Sequence, residues 1–390
     1  MFVLLKLMAR NVLPLLFVTN FVLILGFSLI FPLLPFYAKQ FGASPFQISL
    51  LFAAYPLMQF LLSPLWGKLA DRFGRRPIIL FSLASSALSF LLFGIAQNLF
   101  QLYLIRIFHG LGSAAGLPSV YAAGADISTH KMRAQTMGIL GSAFSLAIIL
   151  GPALGGTLSA VSIQFPFFIS SIVAVLNFFF VLAMVPETLT KKKERFKISE
   201  TLAFLKVFQA AKSPLSSVFF VSFISFFSFA IVGVAYPLLA LEKFGAGPTQ
   251  VGSVFVILGL VGAITQGLIV GRAAEKFGEK KVIRVGLLSM MTALFAVPFA
   301  PNQILSALVL SGMSFGTSLI NPSTNSYVSK HATTGQGLAL GVLNSYGSLS
   351  RFFGPIFVGV VYQVHGPVVT FWVTAVVAFL GVFLSTRIKG

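Results

Sequence analysis

Long apolar runs separated by short polar breaks make up almost the whole chain. They fall near 12–37, 46–66, 77–97, 99–124, 134–158, 164–185, 214–240, 249–271, 281–300, 303–328, 337–361 and 366–386. Each is close to the about 20 residues that an α-helix needs to cross a bilayer. The prolines and glycines inside them are tolerated where neighbouring helices satisfy the backbone groups they free. The pattern predicts an all-α polytopic membrane protein with twelve transmembrane helices. The one long break, residues 187–214, is basic and cuts the series into six spans plus six. The expected organisation is therefore a six-helix bundle over 1–190, a cytoplasmic basic linker over 191–212, and a second six-helix bundle over 213–390.

Composition agrees with this reading. Hydrophobic residues make up 57% of the chain and charged ones only 9%, against roughly 25% charged in soluble domains. The opening residues MFVLLKLMAR lead into a run too long for the apolar core of a signal peptide, with no small-residue cleavage site after it, so it reads as a retained span. The absence of cysteine excludes disulfides and thiolate metal sites.

A net charge of +19 would point to nucleic acid in a soluble protein. Here its distribution gives another answer. With the N-terminus inside, 23 of the 27 lysines and arginines fall on one face of the membrane. Lys39 and Lys243 fall on the other, and Arg106 and Arg351 lie within spans. The positive-inside rule then makes both termini cytoplasmic. The excess charge is topological, with a contribution from anionic lipid, and no soluble domain is left to carry a nucleic-acid surface.

The two halves repeat. FGASPFQISLLF at 41–52 matches FGAGPTQVGSVF at 244–255 with an offset of 203. GKLADRFGRRPII at 67–79 matches GRAAEKFGEKKVI at 271–283 with an offset of 204, which implies one inserted residue between the two pairs. LGPALGG at 150–156 and FGPIFVG at 353–359 return to 203. Three ordered matches at nearly one offset make the halves structural repeats. Secondary transporters are built this way, with a substrate site near the membrane midplane.

Three motifs carry a resemblance to a known family. GKLADRFGRRP resembles the loop signature G-x-x-x-D-x-x-G-R-R/K that the major facilitator superfamily carries between spans two and three. GILGSAFSLAIILGPALGG at 138–156 is similar to the fifth-span signature of its drug and metabolite exporters, and LIRIFHGLGSAAG at 104–116 resembles its fourth-span arginine signature. The chain resembles that superfamily over nearly its whole length, in particular its twelve-span, proton-antiporting exporter branch.

In the first motif Gly67 and Gly74 are expected to permit a tight turn, with Arg76 beside them. The resemblance implies that Asp71 meets the N-terminal end of the eleventh helix, where the helix dipole favours an anion. It also implies that Arg75 pairs with Asp126, so that these contacts break and re-form as the halves rock. The second copy keeps Gly271, Glu275 and Gly278 but has Glu279 where Arg75 stands, so the latch is asymmetric. In span five, Gly151, Pro152, Gly155 and Gly156 belong to a small-residue surface that lets helices approach closely. The resemblance makes it an outer gate against the other half; generic close packing is the alternative.

Polar groups within the spans form the candidate substrate and proton cavity: Asn20, Gln59, Arg106, His109, Gln266, Asn321, Asn325, Asn344 and Arg351. Arg106 and His109, three apart, share a helical face. An arginine inside a membrane is costly and normally faces a cavity or a partner. The resemblance associates Arg106 with proton coupling; a hydrogen-bonding role to backbone carbonyls is its structural alternative. His109 titrates near neutrality when unperturbed and serves equally well as a helix–helix hydrogen bonder. Leu23 stands where proton-coupled relatives carry an acid before GFSLIFP at 26–32, and no Asp or Glu lies deep in a span. That argues against a carboxylate relay and against a strongly cationic substrate.

The sequence therefore predicts a secondary transporter in the cell membrane working by alternating access on a small amphipathic or hydrophobic compound, and the resemblance implies a monomer that exports it, with protons as the candidate coupling ion. An exporter or exchanger of an organic anion or lipid-like metabolite, held by Arg106 and Arg351, is the alternative. A membrane enzyme or receptor fits poorly: His109 has no acid in sequence reach, and no HExxH, GxSxG or phosphate-cradling loop occurs. No cofactor or metal is expected.

Overall fold

The computed structural model describes residues 2–129, 132–189, 214–332 and 336–388. The expected linker, 191–212, lies outside the described residues, as does Lys131. Among the described residues all regular structure is helical. The helices are α1 (Phe2–Gln40), α2 (Pro45–Phe73), α3 (Arg75–Ile95), α4 (Leu99–Asp126), α5 (Arg133–Leu158), α6 (Phe165–Met184) and α7 (Ser216–Phe244). Next comes α8 (Pro248–Phe277), which contains a π turn at Thr265–Ile269. The series ends with α9 (Glu279–Ala296), α10 (Gln303–His331) and α11 (Gln336–Thr386).

Ten stretches are long and apolar enough to cross a membrane. One of them, Ala339–Thr386, has 48 residues, about 72 Å of helix and more than two hydrocarbon thicknesses. It is broken at Gly366, whose φ of 78° and ψ of −178° no helix accommodates, so α11 contains two spans. α4 is not among the ten because Gln101, Arg106 and His109 lower its mean hydropathy. With α4 and both limbs of α11 included, the count is the twelve spans read from the sequence.

The repeat is visible in how the helices are capped. Asn98 Oδ1 accepts from Gln101 N (2.9 Å) to start α4, and Asn302 Oδ1 accepts from Leu305 N (2.9 Å) to start α10. Each satisfies a backbone donor that the first turn leaves open. Gly42 and Gly245 take φ of 73° and 63° after α1 and α7, and Gly74 and Gly278 take 115° and 78° before α3 and α9. All three pairs stand at the 203–204 offset.

The described residues divide into two compact units, the first within Met1–Leu34 and Leu57–Thr201, the second within Pro35–Pro56 and Leu202–Gly390. The first has a core of Val12, Leu16, Ile79, Leu83, Val120, Ala123, Leu140 and Val181. In the second, Val270, Val282 and Leu319 pack between α8, α9 and α10. Residues 35–56, the tip of the α1–α2 hairpin, belong to the second unit. There Phe46 N donates to Gln363 Oε1 (3.2 Å), while Tyr362, one residue earlier on α11, donates from its hydroxyl to Glu242 Oε2 (2.9 Å).

Candidate functional site

Arg75 is the first residue of α3 and is almost buried. Its Nη1 lies 2.6 Å from Asp71 Oδ1 at the end of α2, and its Nε donates to Asp126 Oδ2 (3.1 Å) at the end of α4. One guanidinium thus joins three helix ends, as its fork of donors allows. Thr188 Oγ1 adds a contact to Asp126 Oδ2 at 3.4 Å.

A residue that the motifs did not point to completes this corner. Glu187, just after α6, accepts from Arg75 N (2.9 Å) and Arg76 N (3.2 Å), the first two amides of α3. The carboxylate occupies the positive end of that helix. It also accepts from Leu189 N (2.9 Å), which holds the chain leaving α6 against α3. The Arg76 side chain donates to Leu182 O. Gly74 is explained by the same carboxylate: besides its φ of 115°, a Cβ there would collide with Glu187. Gly67 takes no part in a turn, contrary to the expectation from the sequence. α2 continues helical to Phe73, and a Cβ on Gly67 would meet nothing within 4 Å.

In the second unit Glu279, first residue of α9, accepts from Lys330 Nζ at the end of α10 and from Ser326 Oγ (3.0 Å). Glu279 and Lys330 stand 204 residues after Arg75 and Asp126. The same two positions are therefore paired in both halves, with the charges exchanged. Glu275, the counterpart of Asp71, is exposed and has an acid rather than a base four residues on. Gly271, like Gly67, lies within a helix.

Gly151 and Gly155 make their close approaches to α1 of their own unit. A Cβ on Gly151 would stand 2.9 Å from Leu29 N, and one on Gly155 2.5 Å from Leu29 O. Pro152 sits inside α5, and Gly156 is buried beside it. Two side chains extend this seam: Ser28 Oγ donates to Ala147 O (2.7 Å) and Asn20 Nδ2 to Leu140 O (2.8 Å). Asn20 is thus a fully buried tie between α1 and α5.

The remaining polar candidates separate into two environments. Arg106 and His109 are both buried in the first unit. The Arg106 guanidinium lies 5.8 Å from the Phe27 ring centroid, and the imidazole of His109 packs against Phe90 (4.9 Å) and Phe93 (6.3 Å). Gln59 is half-buried on α2. In the second unit the candidates are open: Asn344 and Arg351 on α11 are exposed, as are Asn325 on α10 and Gln266 in the π turn, while Asn321 is half-buried. Asn325 Nδ2 donates to Asn321 O (2.7 Å), turning that amide along its own helix. The Arg351 guanidinium lies 4.8 Å from the Phe226 ring centroid and donates to Ser348 Oγ (3.1 Å). Phe226 follows the exposed Phe220 and half-buried Phe223 on α7. A cation, a hydroxyl and a half-buried aromatic ring thus lie together, with Arg351 exposed.

The model of the family described as Major Facilitator Superfamily matches residues 16–216 and 218–388. The chain belongs to that superfamily. A major facilitator chain is a multi-pass membrane transporter of small molecules rather than an enzyme, which agrees with the helical architecture. It is 30% identical to multidrug resistance protein 2 of Bacillus subtilis (strain 168) over 349 residues, 88% of this chain and 87% of that one. It is 28% identical to the quinolone resistance protein NorA of Staphylococcus aureus (strain COL), with 88% of each covered. Among solved structures, the human organic anion transporter MFSD10 (TETRAN) superposes with a TM-score of 0.72 at 25% identity, covering 97% of this chain and 99% of that one.

Proposed function

We propose that this major facilitator exports small amphipathic or hydrophobic compounds across the plasma membrane by alternating access of its two six-span halves, as a monomer in exchange for protons. The observation that carries the reading is the 30% identity, over 88% of the chain, to a protein named for multidrug resistance. The exposed Arg351 beside the half-buried Phe226 ring supports it, since the pair offers an aromatic face to apolar ligands and hydrogen-bond donors at its edge. The corner formed by Asp71, Arg75 and Asp126 acts as a conformational latch, with both termini cytoplasmic. The test is purified protein in liposomes, challenged with a pH jump and a panel of drugs, lipids and organic anions. Export of apolar compounds with counterflow of protons is the expected result; no movement of any compound or proton under either gradient overturns the reading.

A second reading is favoured by Arg351, an arginine within a span at an exposed position, and by the similarity to a transporter named for organic anions. There, Arg351 holds a carboxylate or sulfonate through paired hydrogen bonds. Arg351→Ala separates the two: loss of anion exchange with neutral-compound export intact supports the anion reading.

A further inference from the structure

α2 and α8 hold the same place in the two halves, and each begins at a proline and ends at a phenylalanine. α2 runs Pro45–Phe73 over 29 residues, whereas α8 runs Pro248–Phe277 over 30. The flanking motifs shift from an offset of 203 to 204 across this helix. The additional residue therefore lies inside α8, and the structure shows how the helix takes it up. α2 is α-helical throughout. α8 widens into a π turn at Thr265–Ile269, in which Val270 N donates to Thr265 O, five residues back instead of four.

One extra residue in a regular helix would rotate everything beyond it by about 100° and advance it by about 1.5 Å. The wide turn absorbs that rotation locally. Beyond it, Gly278 takes the positive φ of Gly74, and Glu279 reaches the end of α10 as Arg75 reaches the end of α4. π turns are rare and occur frequently at functional sites. They disturb the backbone ladder, and hydrocarbon offers no water to repair it. Here side chains serve the carbonyls around the turn: Thr265 Oγ1 donates to Val261 O (2.7 Å) and Arg272 Nη1 to Leu268 O (3.1 Å).

Gln266 is the second residue of the turn. Gly262 and Thr265 are buried, and a Cβ on Gly262 would stand 3.1 Å from Ser314 Oγ and 3.2 Å from Ser318 Oγ of α10. In an unbroken helix Gln266 would stack over Gly262 against α10. Instead it is exposed. Leu260, Ile264 and Leu268 form the most exposed apolar ridge of α8, and Ile269, three residues after Gln266, is exposed to a lesser extent. Gln266 is two residues from Ile264 and from Leu268, hence on the far side of the helix from that ridge. Next to it, a Cβ on Gly267 would meet nothing within 4 Å.

We propose that the π turn is a specificity element of the transporter, setting the Gln266 carboxamide on the aqueous substrate path, where it selects substrates by hydrogen bonding. This rests on the export reading above for the existence of that path. A carboxamide both donates and accepts without charge, so the class it favours is neutral compounds with an amide or carbonyl beside an apolar body. α2 has no such turn, and its own carboxamide, Gln59, stands one helical turn earlier, at the position that Gly262 takes in α8.

The chain's lack of cysteine allows a direct test. Gln266→Cys and Ile264→Cys are placed singly in liposomes and treated with a charged, water-soluble methanethiosulfonate. Because the hydrated thiolate is the reacting species, Gln266→Cys is expected to react at least about tenfold faster than Ile264→Cys. Equal, slow labelling overturns the proposal whatever the substrate proves to be. In a second arm, Gln266→Leu and deletion of Gly267, which returns α8 to the length of α2, are compared with the parent in exporting matched compounds with and without an amide. A shift of about fivefold in the export ratio, the scale of one neutral hydrogen bond, is expected at unchanged melting temperature. An unchanged ratio for Gln266→Leu overturns the proposal. If the parent moves none of the compounds the export reading fails, and the labelling arm still decides where Gln266 lies.

Discussion

At the scale of single residues, Glu187 carries more structure than its place after α6 implies. Its carboxylate serves two amides of the α3 start and one of its own segment, beside a glycine that leaves room for it. Removing an N-terminal cap costs about 1 kcal/mol. Glu187→Ala is therefore expected to lower the melting temperature of the purified protein, with Glu187→Gln, which keeps the acceptor oxygen, falling between it and the parent. Equal melting temperatures for all three would remove Glu187 from the corner. Nothing in the sequence marked this residue, because its partners are amides 112 and 111 residues away.

At the scale of helices, the two halves tie corresponding ends together with opposite charge arrangements. Arg75 is largely buried and shared between two acids, whereas the Lys330 side chain is 62% exposed. Losing a charge-assisted hydrogen bond in the first setting costs about 2 kcal/mol, and losing an exposed pair up to about 1 kcal/mol. Arg75→Ala should thus destabilise the protein more than Lys330→Ala in thermal unfolding. Reversing the second pair gives a sharper check. Glu279→Lys alone opposes two lysines, and the double change Glu279→Lys with Lys330→Glu restores attraction in the polarity of the first half. Recovery of stability in the double variant is expected, and a loss equal to the sum of the single losses would show that the two positions do not couple. The exchange of charge at 279 was legible from the repeat. Its compensation at Lys330 was not, since a lysine in the last turn of a helix also fits the positive-inside pattern.

At the scale of the whole molecule, membrane orientation is the property most directly written in the chain. If the positive-inside reading, which puts 23 of 27 basic residues on the cytoplasmic face, is right, reporter fusions at either terminus are protected from external protease in intact cells and cleaved after permeabilisation. Cleavage of either in intact cells would reverse the topology. Apolar run length determined the twelve spans, because hydrocarbon thickness leaves few alternatives for a helix. The recurrence of motifs determined the repeat and even counted its extra residue. Tertiary packing decided what those patterns leave open: that the extra residue becomes a π turn, that Gly151 and Gly155 press on α1, and that Asn20 ties α1 to α5. It also decided that Arg106 is buried beside Phe27 and His109 beside Phe90 and Phe93, while Arg351 is exposed beside Phe226. A polar residue within a span reads the same in sequence whether it faces a ring, a backbone carbonyl or water. Only the neighbouring helices, brought close by small side chains far away in the chain, distinguish the three.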